Sequence, residues 1–499
     1  MALCATFGLA SQPDDLAAGF VSPPDSAKPA TWWHWMNGNV TKQGITADLE
    51  AMQRVGIRNA TIVVAEGGPA GLIRYATPQF GGMVKFAAEE TKRLGLTLGL
   101  ENCAGWSSSG GPWVKPAQSM LDVVTSEETL AGPADFSGTL PQPETRKNFY
   151  RDIRVIAFPA LEGDDVSMEA AAPDVTASVP DFRDVKSGGY QLPIPAPGQP
   201  QYLQFEFAKP FAVRTIQLTP RTTSSASGRI EVSDDGRTFR TLRGFGIPDG
   251  EGMRSVDRHE ELGTLTCAVQ PVTARFYRIV FTAGSGEDGR VRIARVNLSP
   301  AFRLDNYLAK CDGADVRRNN NELGDETPAT APDAMVIHAA QTVDLTANMD
   351  AAGKLTWHVP AGKWTVLRIG YTTNGMTNHA GPAEGIGLEC DKLSRDAARA
   401  YWNGYMAGLA KALGPLTGTT FKNTLIDSYE VGNQNWSPDF PAEFKKRCGY
   451  DLLPYLPVYT GRAVESPEVS ERVLWDVRRV IADLWAENYY GGIAAAAHD

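Results

Sequence analysis

Between residues 30 and 101 the sequence alternates three times between a short apolar run and a segment of helical period. The first run, Trp32, Trp33, His34, Trp35 and Met36, is aromatic and reads as extended; it stops at the turn signal Asn37, Gly38, Asn39. Thr41 can cap the next segment, whose apolar positions Ile45, Leu49, Met52 and Val55 fall on one helix face, and Gly56 fits a C-terminal stop. Residues 60–65 are a continuous β-branched and Ala run of the kind found in buried parallel strands, ending at Glu66, Gly67 and Gly68. A helix follows over about 78–94, closed by Gly95, and residues 96–100 form a third strand ending at Glu101 and Asn102. Strands alternating with helices imply a parallel sheet, because parallel neighbours need a crossover between them.

The alternation breaks near residue 120. From about 121 to 370 the chain turns to short β runs separated by Gly, Pro and Asp turns, such as 203–207, 216–218, 229–232, 276–281 and 291–296, with a hairpin signal at 233–236. Strands at this spacing predict β-sandwich material, and residues 200–299 resemble the galactose-binding-like sandwich carried by many carbohydrate enzymes. A second β segment, about 301–370, contains runs at 354–359 and 364–369. Helical period returns over 393–413, with Ser394 as cap, then around 439–447 and 470–490, on either side of a fourth strand at Thr424, Leu425 and Ile426. The organisation read from this is a lead-in at 1–20, disordered or the remnant of a signal; strand–helix units at 21–120; inserted β domains at 121–370; and a continuation of the strand–helix domain at 371–499.

Composition narrows the function. A chain of 499 residues exceeds what one core usually holds. A net charge of −10 argues against a nucleic-acid partner, and the short run Lys445, Lys446, Arg447 reads as the solvated side of a helix. No stretch approaches the roughly 18–20 apolar residues of a membrane span. The six cysteines are scattered, with no metal-like pair spacing. Residues 2–10 are small and apolar and resemble the tail of a secretory signal, which gives an expectation of a periplasmic or secreted protein.

The chemistry gathers where the strands stop. The fourth releases two carboxylates, Asp427 and Glu430, among Ser428, Tyr429, Asn433, Gln434, Asn435 and Trp436. Carboxylates, amides and an indole face are the groups that handle a sugar, and glycoside hydrolysis usually needs one carboxylic acid to protonate the leaving oxygen. Glu66, Glu101, Asn102 and Trp106 stand after the second and third strands, where barrels of this type place their active sites. Each has a plainer reading. Glu430 could cap a helix or pair with an arginine; Asp427 could bond a neighbouring strand. Trp106 and Trp436 could stack on a sugar or fill core; His34 could be a hydrogen-bonded strand residue. His379 and Glu384 lie in a Gly- and Pro-rich loop, 373–387, that could border the site or the surface.

Five segments in order, at 32–39, 101–111, 360–368, 387–392 and 427–436, resemble the bacterial α-L-rhamnosidases of glycoside hydrolase family 106, over nearly the whole chain from about residue 20. The resemblance implies an α/β fold with a (β/α)8 barrel interrupted by β domains, inverting hydrolysis of terminal α-L-rhamnose in a glycan or glycoside, and a calcium ion whose ligands no local motif identifies. It matches Glu430 to the general acid and leaves Asp427, Trp436, Trp106, Glu101, Asn102, Glu66 and His34 as substrate-binding candidates. Only about four strand–helix units are counted, and no residue matches the family's general base. The expectation is therefore a partial barrel with little activity alone, prone to self-association through unpaired strand edges. Two other readings compete: a β-galactosidase-like glycosidase of the same barrel class, and a non-catalytic carbohydrate-binding protein acting through the β insertion.

Overall fold

The computed structural model describes residues 13–107, 109–185, 188–221, 224–247, 264–312 and 331–499. Residues 2–10 lie outside them, and the lead-in contains a helix, Pro13–Val21. The strand–helix alternation gives a four-stranded parallel sheet in the order Ala30–Met36, Asn59–Ala65, Thr97–Glu101, Phe421–Leu425. Its register pairs His34 with Val63 and Glu101 with Leu425. Helices Lys42–Arg54 and Pro78–Arg93 return the chain between the first three strands. Thr41 and Thr77 cap them, each hydroxyl accepting an N–H three residues on.

The first strand has two faces of opposite character. Trp33 and Trp35 are buried against Ile45, Leu49, Phe80 and Val84 in the helix layer. Trp32, His34 and Met36, alternating with them, lie on the opposite face and are exposed. Ile45 and Leu49 are buried as the helical period predicts, but Val55 is 72% exposed. It stands at the C-cap, with φ −93° and ψ 4°, where the helix no longer turns its side chain toward the sheet.

The segment between the third and fourth strands is largely β. Strands Leu121–Thr139 and Lys354–Thr373 run antiparallel along almost their full length, flanked by Arg151–Pro159 and the short Val343–Asp344. The two runs read around Pro360 form one strand, which shifts register between Val359 and Gly362 and so accommodates a residue without an N–H. A second antiparallel sheet, with its own core, spans residues 174–299.

After this segment the predicted helix over 393–413 begins at Ser394, whose hydroxyl accepts from Ala397 N–H. It breaks at Tyr405 (φ −139°, ψ −64°) into Arg395–Gly404 and Met406–Leu413. The later helices are Phe440–Cys448 and Pro467–Leu484, the second continuing through a π-helical turn, Trp485–Tyr490, into Gly491–His498. Ile156, Phe158 and Leu367 of the inserted sheet share one core with Trp436, Phe440, Phe444, Val473 and Val477. No helix among the described residues is long and apolar enough to cross a membrane.

Candidate active site

Glu66, Glu101, Asp427 and Glu430 stand at or just after the C-terminal ends of the second, third and fourth parallel strands, His34 lies within the first, and the structure sorts them. Glu101 closes the third strand beside Leu425 and is 1% exposed. Neither of its carboxyl oxygens has a hydrogen-bond partner among the described residues. Burial, and then the charge of Asp427, push it up to about 9, so it is uncharged at neutral pH. Asp427 is half-buried and also raised, by burial first and Glu430 second, while His34 pulls it down. Glu101, Asp427, Glu430 and His34 thus form one electrostatic neighbourhood.

Other candidates divide differently. Glu66 is exposed, and its N–H donates to Ala380 O (2.7 Å), which ties the second strand to the loop above it. Trp106 is half-buried, and its carbonyl accepts from Ser428 N–H (3.2 Å). Asn102 is fully buried. Its Nδ2 donates to Ser109 Oγ (2.6 Å), which bonds the Tyr489 hydroxyl (2.6 Å), and its own N–H donates to Leu425 O (2.9 Å). Asn102 fastens the third strand to the fourth and to the helix layer, and its Oδ1 has no hydrogen-bond partner among the described residues. Trp436, expected as a stacking platform, is 2% exposed with its ring between Tyr371 and Phe440. Its apolar area belongs to the core shared with the inserted sheet, which leaves no ring face for a sugar.

His379 is where sequence reading left most undecided. The loop crossing the strand ends brings its Nε2 to 3.3 Å from Glu430 Oε2, with the two side chains 49% and 47% exposed. Ser107 holds both partners: its hydroxyl accepts from His379 N–H (2.9 Å), and its carbonyl accepts from Glu430 N–H (3.0 Å). Glu384, from the same loop, instead accepts from Tyr75 N–H (3.1 Å) and pairs with Arg74 (3.1 Å), so it anchors the loop's far side.

Below Ser107 lies a buried charge pair. Glu389 and Lys392 are both fully buried, with Nζ 2.6 Å from Oε2. Glu389 also accepts from Ser109 N–H (2.9 Å) and Ser107 Oγ (3.4 Å). Next to it Asp391 accepts from Gln434 Nε2 (2.6 Å), Ser437 Oγ (2.7 Å) and Leu393 N–H (2.8 Å); burial still pushes it up to about 6. Sequence reasoning assigned none of these residues a role. The signal was the clustering of three charges at 389–392 beside a Gly-rich loop, a composition that needs partners if it is buried.

The crossing loop sits so close that one position beneath it must be Gly105. Its φ is +75°, and a Cβ there would lie 1.9 Å from the His379 carbonyl oxygen. Gly105→Ala is expected to cost at least ~2 kcal/mol, combining the left-handed backbone penalty with displacement of the loop. The urea midpoint measures it; an unchanged midpoint would show that the loop shifts freely.

With this geometry in view, comparison with known proteins decides the family. The family model for α-L-rhamnosidase, glycoside hydrolase family 106, matches residues 21–499. The chain belongs to that family. A solved rhamnosidase from Novosphingobium sp. PP1Y is 31% identical to this family 106 chain and superposes with a TM-score of 0.80, over 97% of this chain and 46% of its own length. A Formosa agariphila protein, provisionally named a β-glucuronidase, is 34% identical over 485 residues, 97% of this chain and 30% of that protein. The family 106 chain therefore spans less than half of the solved relative and less than a third of the curated one. The fold is mixed α/β with several sheets and is similar to that of the solved rhamnosidase.

Proposed function

We propose that this chain supplies the acid side of a site that hydrolyses terminal α-L-rhamnose from a glycan or glycoside with inversion, and that its four parallel strands are consecutive staves of a (β/α)8 barrel. The observation that carries the reading is the placement of Glu430. It lies at the open end of the fourth strand, half exposed, fixed through its own N–H to Ser107 and facing His379. A proton donor needs this access, because it must reach the leaving oxygen while its backbone stays still. Asp427 accepts from sugar hydroxyls. Glu101 lies behind it as an uncharged carboxyl, which keeps two adjacent acids from repelling each other. His34 lies near enough to Asp427 to pull it down, and the Trp106 carbonyl accepts from Ser428 N–H, so both stand beside the same strand end.

An inverting enzyme also needs a base roughly 6.5–9.5 Å from the acid. Glu101, uncharged at neutral pH, does not serve, and the base is assigned to none of the described residues. The family implies calcium, which takes about 6–8 oxygen ligands. Such ligands include backbone and amide carbonyls as well as carboxylates; they are assigned to none of the described residues, and no step is routed through a metal.

The test uses leaving groups. In the protein that carries this chain, Glu430→Gln is expected to slow hydrolysis of an alkyl or unactivated aryl α-L-rhamnoside by ~10²–10⁴-fold, and that of a dinitrophenyl rhamnoside far less, since a good leaving group needs no proton. Equal losses on both substrates would remove Glu430 from the donor role. Faster turnover of an aryl glucuronide or galactoside than of the rhamnoside would replace the proposed sugar.

A further inference from the structure

The proposed chemistry gives the Ser107 hydroxyl no part, yet two segments far from it in sequence are both fastened to this residue. Its carbonyl accepts from Glu430 N–H (3.0 Å), and its hydroxyl accepts from His379 N–H (2.9 Å) in the loop that crosses the strand ends. The same hydroxyl donates to Glu389 Oε1 (3.4 Å), and that carboxylate is held by Lys392 Nζ (2.6 Å) and Ser109 N–H (2.9 Å). Ser107, Glu389 and Lys392 are all fully buried, so water does not compete for these bonds. On the Glu430 side the backbone is held from both flanks: Ser428 N–H donates to Trp106 O (3.2 Å), and Val431 packs with Met120 and Met376. One line of support therefore runs from the buried ion pair through Ser107 to the Glu430 backbone, and ends where the Glu430 side chain, 47% exposed, begins.

We infer that Ser107 is a positioning residue for the acid: its hydroxyl, fixed by the Glu389–Lys392 pair, orients the peptide whose carbonyl holds the Glu430 backbone, and sets the height of the crossing loop above it. The inference rests on the reading of Glu430 as proton donor. A donor must come within about 2.6–3.2 Å of the leaving oxygen, and a misplacement of ~1 Å costs on the order of 10²-fold in rate. Glu430 lies beyond the last residue of its strand, Leu425, in a segment that is neither helix nor strand. Its precision therefore has to come from tertiary bonds. A serine can supply them with one side chain because a hydroxyl donates and accepts at once, here to Glu389 and from His379. Alanine would keep the carbonyl bond to Glu430 but untie its peptide from the ion pair, and would take one partner each from Glu389 Oε1 and the His379 N–H.

A double-mutant cycle in the protein that carries this chain tests this, with Ser107→Ala, Glu430→Gln and the two combined. Ser107→Ala is expected to lower kcat on an unactivated aryl α-L-rhamnoside by ~10-fold or more, to change KM and dinitrophenyl rhamnoside turnover by less than ~2-fold, and to add nothing in the Glu430→Gln background. An equal loss on both substrates, or the same loss with and without Glu430, would overturn the inference, since a hydroxyl that only stiffens the fold acts whatever the leaving group. Amide hydrogen exchange adds a readout independent of turnover. In Ser107→Ala the Glu430 and His379 amides are expected to exchange at least ~10-fold faster while those of the strand Asn59–Ala65 keep their rates. Unmoved Glu430 and His379 amides, or a rise shared by that strand, would also overturn it. Should the variant fold poorly, the parent's amides decide: slow exchange at both positions supports the inference, and unprotected exchange at either sinks it. Failure of the donor reading shows separately, as equal losses of Glu430→Gln on the two substrates, and leaves the exchange result to say whether Ser107 fixes that strand end.

Discussion

Glu101→Gln is expected to stabilise the chain by roughly 3 kcal/mol at pH 7 and by almost nothing at pH 4.5. The sign follows from proton counting. The folded carboxyl titrates at about 9 against an ordinary 4.5, because burial and then Asp427 oppose its charge. Below pH 4.5 the folded and unfolded chains both hold the proton. Between 4.5 and 9 the unfolded chain releases a proton that the folded chain keeps, so stability falls by about 1.4 kcal/mol per pH unit. Above 9 the loss levels off. Glutamine keeps the shape of the protonated acid and removes the titration, so its advantage grows with pH. Urea midpoints of the two proteins at pH 5, 7 and 8 decide the matter: a difference that stays constant would mean that Glu101 is charged in the folded state.

Lys392→Met is expected to lose ~3–5 kcal/mol, because it strands the fully buried Glu389 carboxylate without its counter-charge. The double variant Glu389→Gln with Lys392→Met is expected to recover at least ~2 kcal/mol of that loss, since the desolvated charge goes with its partner. Additive losses would show that the pair is uncoupled and that Lys392 acts through packing alone. Because Glu389 also receives Ser109 N–H and Ser107 Oγ, the single variant is further expected to loosen the His379–Glu430 contact.

Local signals read correctly from sequence were those whose cause is local. The Thr41 and Ser394 caps form as expected, because a hydroxyl three residues before an N–H needs no tertiary partner. The β-branched run at 60–65 is a buried parallel strand for the same reason that it looked like one: apolar side chains on both faces. The helical period over 393–413 did not show the break at Tyr405, whose ring stacks on Trp113 from outside the segment. Trp436 misled for a related reason. An indole beside carboxylates is the composition of a sugar site, but the inserted sheet covers its ring, and that neighbour is far away in sequence. The site divides along the same line. Acids at strand ends were visible; the pairing of Ser107 with Glu389, 282 residues on, was not.

The inserted segment leaves and returns at one place. Leu121 stands opposite Thr373 in the antiparallel pair, so residues 122–372 hang from a closed stem that begins about 20 residues after the third strand's end at Glu101. That closure matters for how the molecule assembles. Bringing Phe421 alongside Leu98 across so long a separation would by itself carry a large loop-closure entropy. With the stem formed, the effective loop shrinks to the two paths on either side of it, from Glu101 to Leu121 and from Thr373 to Phe421, and the fourth strand docks against the edge of the third. Synthesis from the N-terminus delivers the parts in that order, three strands, then the stem, then the acid-bearing strand, so Glu430 enters a neighbourhood that is already built.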